Sequence, residues 1–253
     1  MSNSREVIPA ATLVLFRARD GAAPQLLMVE RAKAMSFAAG ATVFPGGRVD
    51  AGDRALAATF AGDQDIIAGA IAAIRETIEE AGMPVGLIPA PHIAALTALR
   101  QALHGGTAFG KALHDGGFAI DPALLVPFAR WLPPAGAAHR VFDTRFYLAE
   151  VPPGAPEPVV DDTENVSVFW ASAQEVLDAA EEQRLEIIFP TRRNLERLAR
   201  FGSFAEACAD AAAYPPRTVT SWIEERGGIS YVCIPEDLGY PVTSEPAVSA
   251  MRS

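Results

Sequence analysis

The sequence predicts an α/β sandwich built on a mixed β-sheet. Apolar runs rich in β-branched residues open the chain, a long amphipathic helix follows, and further strands and late helices come after it. With 253 residues, half of them hydrophobic, the chain is long enough to bury a sizeable core. We therefore expect a single domain over residues 1–253, with a helical insert at about 88–132 and C-terminal helices and a strand at about 190–240.

The first part of the chain has the pattern of three strands and a tight turn. Val7–Arg17 and Gln25–Arg31 are strand-like runs on either side of Asp20-Gly21, a dipeptide typical of turns. Ala41–Phe44 is a short third strand that leads directly into the Gly46-Gly47 turn.

A long helix follows an alanine-rich segment. We predict a helical turn within the insertion Asp53–Asp65, and then a helix that begins at about Ile66 behind an Asp65 cap. The helix is expected to end at Ala81, because Gly82 stands where a helix stop belongs.

The second half of the chain alternates between helical and strand-like patterns. From Pro91 to Arg130 the pattern is helical and interrupted by glycines, which predicts an insert of helices rather than part of the sheet. The helices predicted in it are Ile93–Ala102, Ala108–His114 and Pro122–Phe128. Predicted strands are 84–89, Val141–Val151, Val166–Trp170 and Ser230–Ile234; predicted later helices are Ala173–Glu182, Thr191–Arg200 with Thr191 as N-cap, and one opened by the capping box Ser203–Glu206.

Composition and charge exclude several classes of protein. The net charge of −10 argues against a general nucleic-acid surface, which needs a basic stripe. No apolar run approaches the roughly 18 residues of a membrane span, and the N-terminal residues show no secretory pattern. The two cysteines lack CxxC spacing and the four histidines lack HxxxH or HExxH spacing. We therefore expect a cytoplasmic protein that binds neither nucleic acid nor a membrane.

The most informative segment is Arg75–Gly82 (RETIEEAG), downstream of a diglycine turn in Phe44–Gly47 (FPGG). At about 100° per residue, Glu76, Glu79 and Glu80 fall within an arc of about 100°, opposite an apolar face. Carboxylates so placed repel one another on a bare helix, and they are ligands that Mg2+ or Mn2+ prefers. The pattern predicts a divalent metal site at these three glutamates; a solvated acidic face is the alternative.

These residues resemble the signature of the Nudix hydrolases. That signature is a glycine, five residues, a glutamate, seven residues and then Arg-Glu-U-x-Glu-Glu-x-Gly-U, in which U is bulky and apolar. Gly47 matches the first glycine, and Arg75–Met83 matches the second half apart from Thr77 at a U position. Asp53 stands in place of the first glutamate. The arginine expected at position 61 is at 75, so the intervening segment is 14 residues longer (75 minus 61).

The interrupted signature resembles one subgroup, the acyl-coenzyme A diphosphatases that carry an insertion inside the Nudix box. Arg31–Gly47 (RAKAMSFAAGATVFPGG) is similar to that subgroup's run ending in VFPGG. Trp131–Pro134 (WLPP), Arg140–Tyr147 (RVFDTRFY) and Phe189–Thr191 (FPT) are similar to its later segments. The resemblance implies a Nudix-type α/β/α sandwich with a mixed β-sheet and a helical insert.

The resemblance also implies metal-dependent hydrolysis of a nucleoside diphosphate linkage, by attack of water on phosphorus. Glu76, Glu79 and Glu80 would hold Mg2+ or Mn2+, with Glu76 and Glu80 as catalytic residues in direct contact with it. The Gly46-Gly47 turn lets the backbone approach the metal closely. Many members of the family use a late acidic residue as metal ligand or base, and Glu164 is the match here.

Arginines near these motifs are candidate contacts for an anionic substrate. Arg75 is interpreted as an ion-pair partner that orients a box carboxylate. Arg31, Arg48 and Arg140 flank the box or the matching aromatic strand and are candidate phosphate contacts. Ordinary surface charges are the alternative for each of them.

The subgroup resemblance implies coenzyme A or acyl-coenzyme A as substrate, cleaved to 3′,5′-ADP and (acyl-)phosphopantetheine. Alternatives are a Nudix diphosphatase for ADP-ribose, NADH or another nucleotide, and a non-catalytic Nudix domain that senses a nucleotide. Three intact glutamates argue against a sensor. Specificity is expected in the insertions, and leucines between Pro91 and Arg130 could wall an apolar groove for the pantetheine or acyl arm.

Overall fold

The computed structural model describes residues 7–33, 38–134, 141–160 and 164–250. A mixed sheet of eight strands forms its centre. These strands are β1 (Val7–Arg17), β2 (Gln25–Arg31), β3 (Thr42–Val43), β4 (Gly46–Arg48), β7 (Val126–Trp131), β8 (Val141–Glu150), β9 (Asn165–Ala171) and β10 (Thr218–Val219). A two-stranded sheet contains β5 (Leu87–Ile88) and β6 (Ala119–Ile120), and a three-stranded sheet contains β11 (Trp222–Arg226), β12 (Ile229–Cys233) and β13 (Ser244–Pro246).

Helices cover both faces of the large sheet. They are α1 (Ala51–Ala57), α2 (Gln64–Ala81), α3 (Ile93–His104), α4 (Phe109–Gly116), α5 (Ala173–Glu181), α6 (Phe189–Leu198), α7 (Phe204–Ala213) and α8 (Ala247–Ala250). None of the helices in the described ranges is long and apolar enough to cross a membrane.

Strand β1 organises the sheet. It runs parallel to β8 from Val7 to Phe16, and antiparallel to β2 near its end and to β4 near Ala10–Thr12. Strand β9 pairs with β2 on the far side, and β7 pairs with β8. The diglycine turn is thus hydrogen-bonded to the central strand, where its position is rigidly defined.

Alternate residues of β1 point into two separate cores, as the two-residue period of a strand requires. Leu13 and Leu15 pack on the side of α2, α3 and α4, whereas Val14 and Phe16 pack on the side of α5, α6 and α7. The observed architecture is therefore an α/β/α sandwich on a mixed sheet, and the predicted fold class is confirmed.

The end of the predicted helical insert belongs to the sheet instead. The prediction of a helix over Pro122–Phe128 is wrong beyond Leu124, because Val126–Trp131 is strand β7 and pairs antiparallel with β8. Pairing with β8 on one side and β10 on the other overrides a weak local helical pattern. The helices α3 and α4 form the helical part of the insert, which ends well before residue 132.

Two helix starts also differ from the sequence prediction. Helix α2 begins two residues earlier than expected, because the carboxylate of Asp63, not Asp65, caps it by accepting from the backbone N–H groups of Asp65 and Ile66. Helix α6 begins at Phe189, with Pro190 in its first turn, so Thr191 lies inside the helix rather than at its N-cap. The predicted stop of α2 at Gly82 is confirmed, since Gly82 adopts a left-handed conformation with φ of 65°.

Candidate active site

The last two turns of α2 carry the three glutamates beside the diglycine turn. Their side chains are 16%, 24% and 6% exposed for Glu76, Glu79 and Glu80. The opposite face of α2 is buried in the core against β1. The acidic face of α2 is therefore partly buried and not fully solvated.

Arg75 holds the cluster together. Its Nε and Nη2 donate to the two carboxylate oxygens of Asp53 at 3.0 and 2.9 Å. Its Nη1 donates to Glu76 at 2.9 Å and to Glu79 at 3.4 Å, and its Nη2 also donates to the carbonyl oxygen of Arg48 at 2.9 Å. The fork of Arg75 thus joins the carboxylates of the box to the diglycine strand, in the geometry that makes arginine–carboxylate pairs strong.

Asp53 occupies the place of the missing glutamate of the signature. It is only 1% exposed, and the backbone N–H of Asp50 donates to its Oδ2 at 2.9 Å in the first turn of α1. The insertion after Asp53 contributes the rest of α1 and the first turns of α2. The extra residues between Asp53 and Arg75 therefore do not prevent contact between these two side chains.

The diglycine turn fits closely against the glutamates. The backbone N–H of Gly46 donates to Oε2 of Glu80 at 2.9 Å. A Cβ at Gly47 would overlap the carboxylate of Glu76, and a Cβ at Gly46 would overlap backbone atoms of β1. Only glycine lets the backbone approach these carboxylates so closely.

The buried carboxylates have raised pKa values. Burial raises the pKa of Glu76 to about 7, opposed by the charge of Arg75. Burial and the nearby charge of Glu76 raise the pKa of Glu80 to about 8, opposed by the Gly46 N–H, the Asn165 side chain and Arg31. Burial also raises the pKa of Glu79. Burial is therefore the main cost of ionising these carboxylates, and repulsion adds to it for Glu76 and Glu80.

The donor set fits a hard divalent cation. Carboxylate oxygens that are buried and mutually repelling are the ligands that Mg2+ and Mn2+ prefer, and a cation would offset their burial cost. Within the described ranges, no group of three or more His, Cys, Asp or Glu side chains is close enough to hold a metal as it stands. Arg75 accounts for this spacing, because it engages Glu76 and Glu79 while Glu80 is drawn to Gly46.

Arg31 and Glu164 lie beside the same cluster. The guanidinium of Arg31 is 3.9 Å from Oε1 of Glu80 and 4.0 Å from Oε2 of Glu164. The backbone N–H of Ala32 donates to the carbonyl of Glu164 at 2.8 Å, which fixes the start of β9 against the end of β2. Glu164 is 59% exposed, so its carboxylate stands at the rim of the cluster, in contact with solvent.

Two other candidate phosphate contacts have different outcomes. Arg48 joins the cluster through its backbone carbonyl, while the residue itself is exposed. Arg140 lies outside the described residues, as do Asp161–Thr163 of the acidic segment before Glu164.

Asn165, which sequence reasoning missed, is 1% exposed and its side chain lowers the pKa of Glu80. Its place directly after Glu164 was the only sequence signal for it.

Most leucines of the insert are buried and do not line an open groove. Leu96, Leu99, Leu103 and Leu113 are buried in the core that surrounds α2. Ile93 is 70% exposed. The expectation of an apolar wall is therefore wrong for these four leucines, because their side chains pack α3 and α4 against α2.

Comparison with solved structures shows similarity to the Nudix hydrolases. A crystal structure of a NUDIX hydrolase from Alicyclobacillus acidocaldarius matches with a TM-score of 0.71 and 28% identity, over 81% of this chain and 97% of that one. The chain is thus similar to the Nudix hydrolases in both sequence and fold. This similarity agrees with the resemblance of Gly47, Asp53 and Arg75–Gly82 to a Nudix box with an internal insertion. No family model matches the chain.

One curated relative extends the similarity to a particular subgroup of the Nudix hydrolases. The acyl-coenzyme A diphosphatase NUDT19 of Gallus gallus is 28% identical in an alignment that covers 71% of this chain. The match spans 62% of the length of that relative. The chain therefore resembles the acyl-coenzyme A diphosphatases within the superfamily.

Proposed function

We propose that the protein is a metal-dependent diphosphatase that hydrolyses coenzyme A or acyl-coenzyme A to 3′,5′-ADP and (acyl-)phosphopantetheine. The observation that carries the hydrolase assignment is the Asp53–Arg75 pair, which closes the Nudix box across its insertion. The choice of coenzyme A is supported by the similarity to a relative named acyl-coenzyme A diphosphatase.

Glu76, Glu79 and Glu80 are the proposed ligands of Mg2+ or Mn2+. When bound, the metal neutralises diphosphate oxygens and lowers the pKa of water. The raised pKa values of Glu76 and Glu80 support this role, because carboxylates that are costly to ionise alone gain most from a neighbouring cation. Arg75, itself held by Asp53, orients Glu76 and Glu79 from the side.

The remaining residues act on water and on the substrate anion. Glu164 stands at the solvent-facing rim and is the proposed base that takes a proton from the attacking water. Attack forms a bond from water oxygen to phosphorus, and the bond from that phosphorus to the bridging oxygen breaks. Arg31, between Glu80 and Glu164, is placed to meet a phosphate oxygen. Such local cations are needed because the whole chain carries a net charge of −10.

A panel of substrates tests this proposal. Purified protein with Mg2+ or Mn2+ is given coenzyme A, an acyl-coenzyme A, 3′-dephospho-coenzyme A, ADP-ribose and NADH, and the products are identified by mass. We expect a clearly higher kcat/KM for the two coenzyme A forms, with 3′,5′-ADP as product. Equal efficiency on all compounds, or a preference for ADP-ribose or NADH, would contradict the coenzyme A assignment. No hydrolysis of any of them would contradict the enzyme assignment and favour a sensor.

A further inference from the structure

The C-terminal end of α2 is held by side chains from another helix. The last carbonyl groups of an α-helix have no partner within it. Here the carbonyl of Glu79 accepts from Nε of Arg100 at 2.8 Å, and the carbonyl of Glu80 accepts from Nη2 of Arg100 at 3.0 Å. His104 Nε2 lies 3.0 Å from the Glu79 carbonyl as well, and because a carbonyl only accepts, this nitrogen carries the proton. The N–H of Val159 donates to the carbonyl of Ala81 at 2.9 Å.

This end of α2 needs positive charge from outside. The last turn contains no basic residue, yet it carries the carboxylates of Glu79 and Glu80 at the negative pole of the helix dipole. Acidic side chains at that pole destabilise a helix end. The guanidinium of Arg100 supplies positive charge to the backbone at this pole, since it bonds the carbonyls of those same two residues, while Arg75 contacts the Glu79 carboxylate.

Helix α3 is built to present Arg100 and His104 to α2. Leu96, Arg100 and His104 are spaced four residues apart, so they share one face of α3. Leu96, Leu99 and Leu103 anchor that helix in the core around α2. The two polar side chains are therefore fixed at the end of a rigid, packed element rather than on a loop.

We propose that Arg100, assisted by His104, is a positioning residue that holds the backbone of Glu79 and Glu80 for divalent metal binding. This inference rests on the proposed function, since it takes these glutamates as metal ligands. It gives the helical insert a role in the metal site, in place of the groove that the sequence suggested. Because α3 holds the backbone carbonyls of Glu79 and Glu80, the carboxylates of these two residues have a defined position before a metal binds.

Mn2+ binding without substrate tests the proposal. Isothermal titration calorimetry with Mn2+ alone is run on the wild-type protein and on R100Q, R100K and H104A. R184Q is the matched control, because Arg184 is an exposed arginine paired with Glu182. Removing a group that orients metal ligands typically weakens metal binding about 10- to 100-fold. We expect that loss for R100Q, a smaller loss for R100K and H104A, and no change for R184Q.

Two further readouts separate positioning from general destabilisation. Hydrogen–deuterium exchange is expected to rise in R100Q at the amides of 79–83 while the amides of β1 and β8 stay protected. With coenzyme A as substrate, kcat is expected to fall in R100Q with little change in KM, because Arg100 bonds the helix end and not the substrate.

The outcomes are distinct. Wild-type Mn2+ affinity in folded R100Q, or unchanged exchange at 79–83, would overturn the proposal. If R100Q fails to fold, R100K and H104A decide the question, and wild-type affinity in both would overturn it. If the wild-type protein hydrolyses nothing in the panel, the proposed function fails, while the Mn2+ titration and the exchange still decide the role of Arg100.

Discussion

Replacing Asp53 with asparagine removes the charge that holds Arg75 while keeping the shape of the side chain. Asp53 is 1% exposed and the Arg75 side chain is 9% exposed, so D53N leaves a buried guanidinium without its main partner. Breaking a buried ion pair from one side costs about 3–5 kcal/mol. Arg75 keeps Glu76, and asparagine keeps one acceptor, so we expect a loss of about 2–3 kcal/mol in the free energy of unfolding. For a chain of this size that lowers Tm by roughly 5–10 °C.

The same change is expected to reduce activity, because Arg75 no longer holds Glu76 and Glu79 in place. Loss of such an orienting partner typically lowers activity about 10- to 100-fold. Urea unfolding and steady-state kinetics measure the two effects. D65N is the matched control, since Asp65 pairs with Arg54 on the surface and such pairs contribute about 1 kcal/mol or less. A loss for D53N within about 0.5 kcal/mol, the range of ordinary surface changes, together with unchanged kcat would refute this reasoning.

Three further substitutions are expected to have separate effects. E80Q should lower kcat at least about 10²-fold at saturating Mg2+. It should not lower the free energy of unfolding at pH 8, because a neutral amide avoids the cost of burying a charge. Near wild-type turnover would show that Glu80 does not bind metal. G47A should lower kcat about 10²-fold, because the added Cβ displaces the Glu76 carboxylate and a shift of about 1 Å in an active-site group reduces the rate by about that factor. Unchanged kinetics would show that the close approach of Gly47 to Glu76 is not needed. Burial raises the pKa of Glu196 from 4.5 to about 7, so its contribution to the free energy of unfolding is fully present below pH 4.5 and is lost as the pH rises through 7. E196Q should remove that slope from urea-unfolding curves measured across this range, and parallel curves for the two proteins would contradict the assigned burial effect.

The parts predicted well from sequence are those with strong local signals. The bounds of β1 and β2 follow from long apolar, β-branched runs, and the stop of α2 follows from a glycine at a position that needs a left-handed conformation. The common helix face of Glu76, Glu79 and Glu80 was predicted from their spacing, and their role as metal ligands stays a prediction. Each of these signals lies within a few consecutive residues.

The parts that sequence reasoning missed depend on contacts between distant segments. Strand β7 forms because β8 and β10 pair with it. The local sequence of β7 does not indicate this pairing. The pairing of Arg75 with Asp53 was not predicted, because the two residues are 22 positions apart in the chain and an insertion separates them. Arg100 is on α3, which the sequence pattern assigned to a substrate groove, and only the folded chain brings it to the end of α2.

Hydrolysis of coenzyme A in 18O-labelled water tests the central claim most directly. With Mg2+ present and the products separated by mass, attack of water on a diphosphate phosphorus places one labelled oxygen on a phosphate group, in either 3′,5′-ADP or phosphopantetheine. The arrangement of Asp53, Arg75 and the three glutamates predicts this label, and labelled product is expected to form at least about 10²-fold more slowly in E80Q. Products that carry no label on phosphate, or label at a carboxylate of an acyl-coenzyme A product, would contradict the assignment of a Nudix diphosphatase.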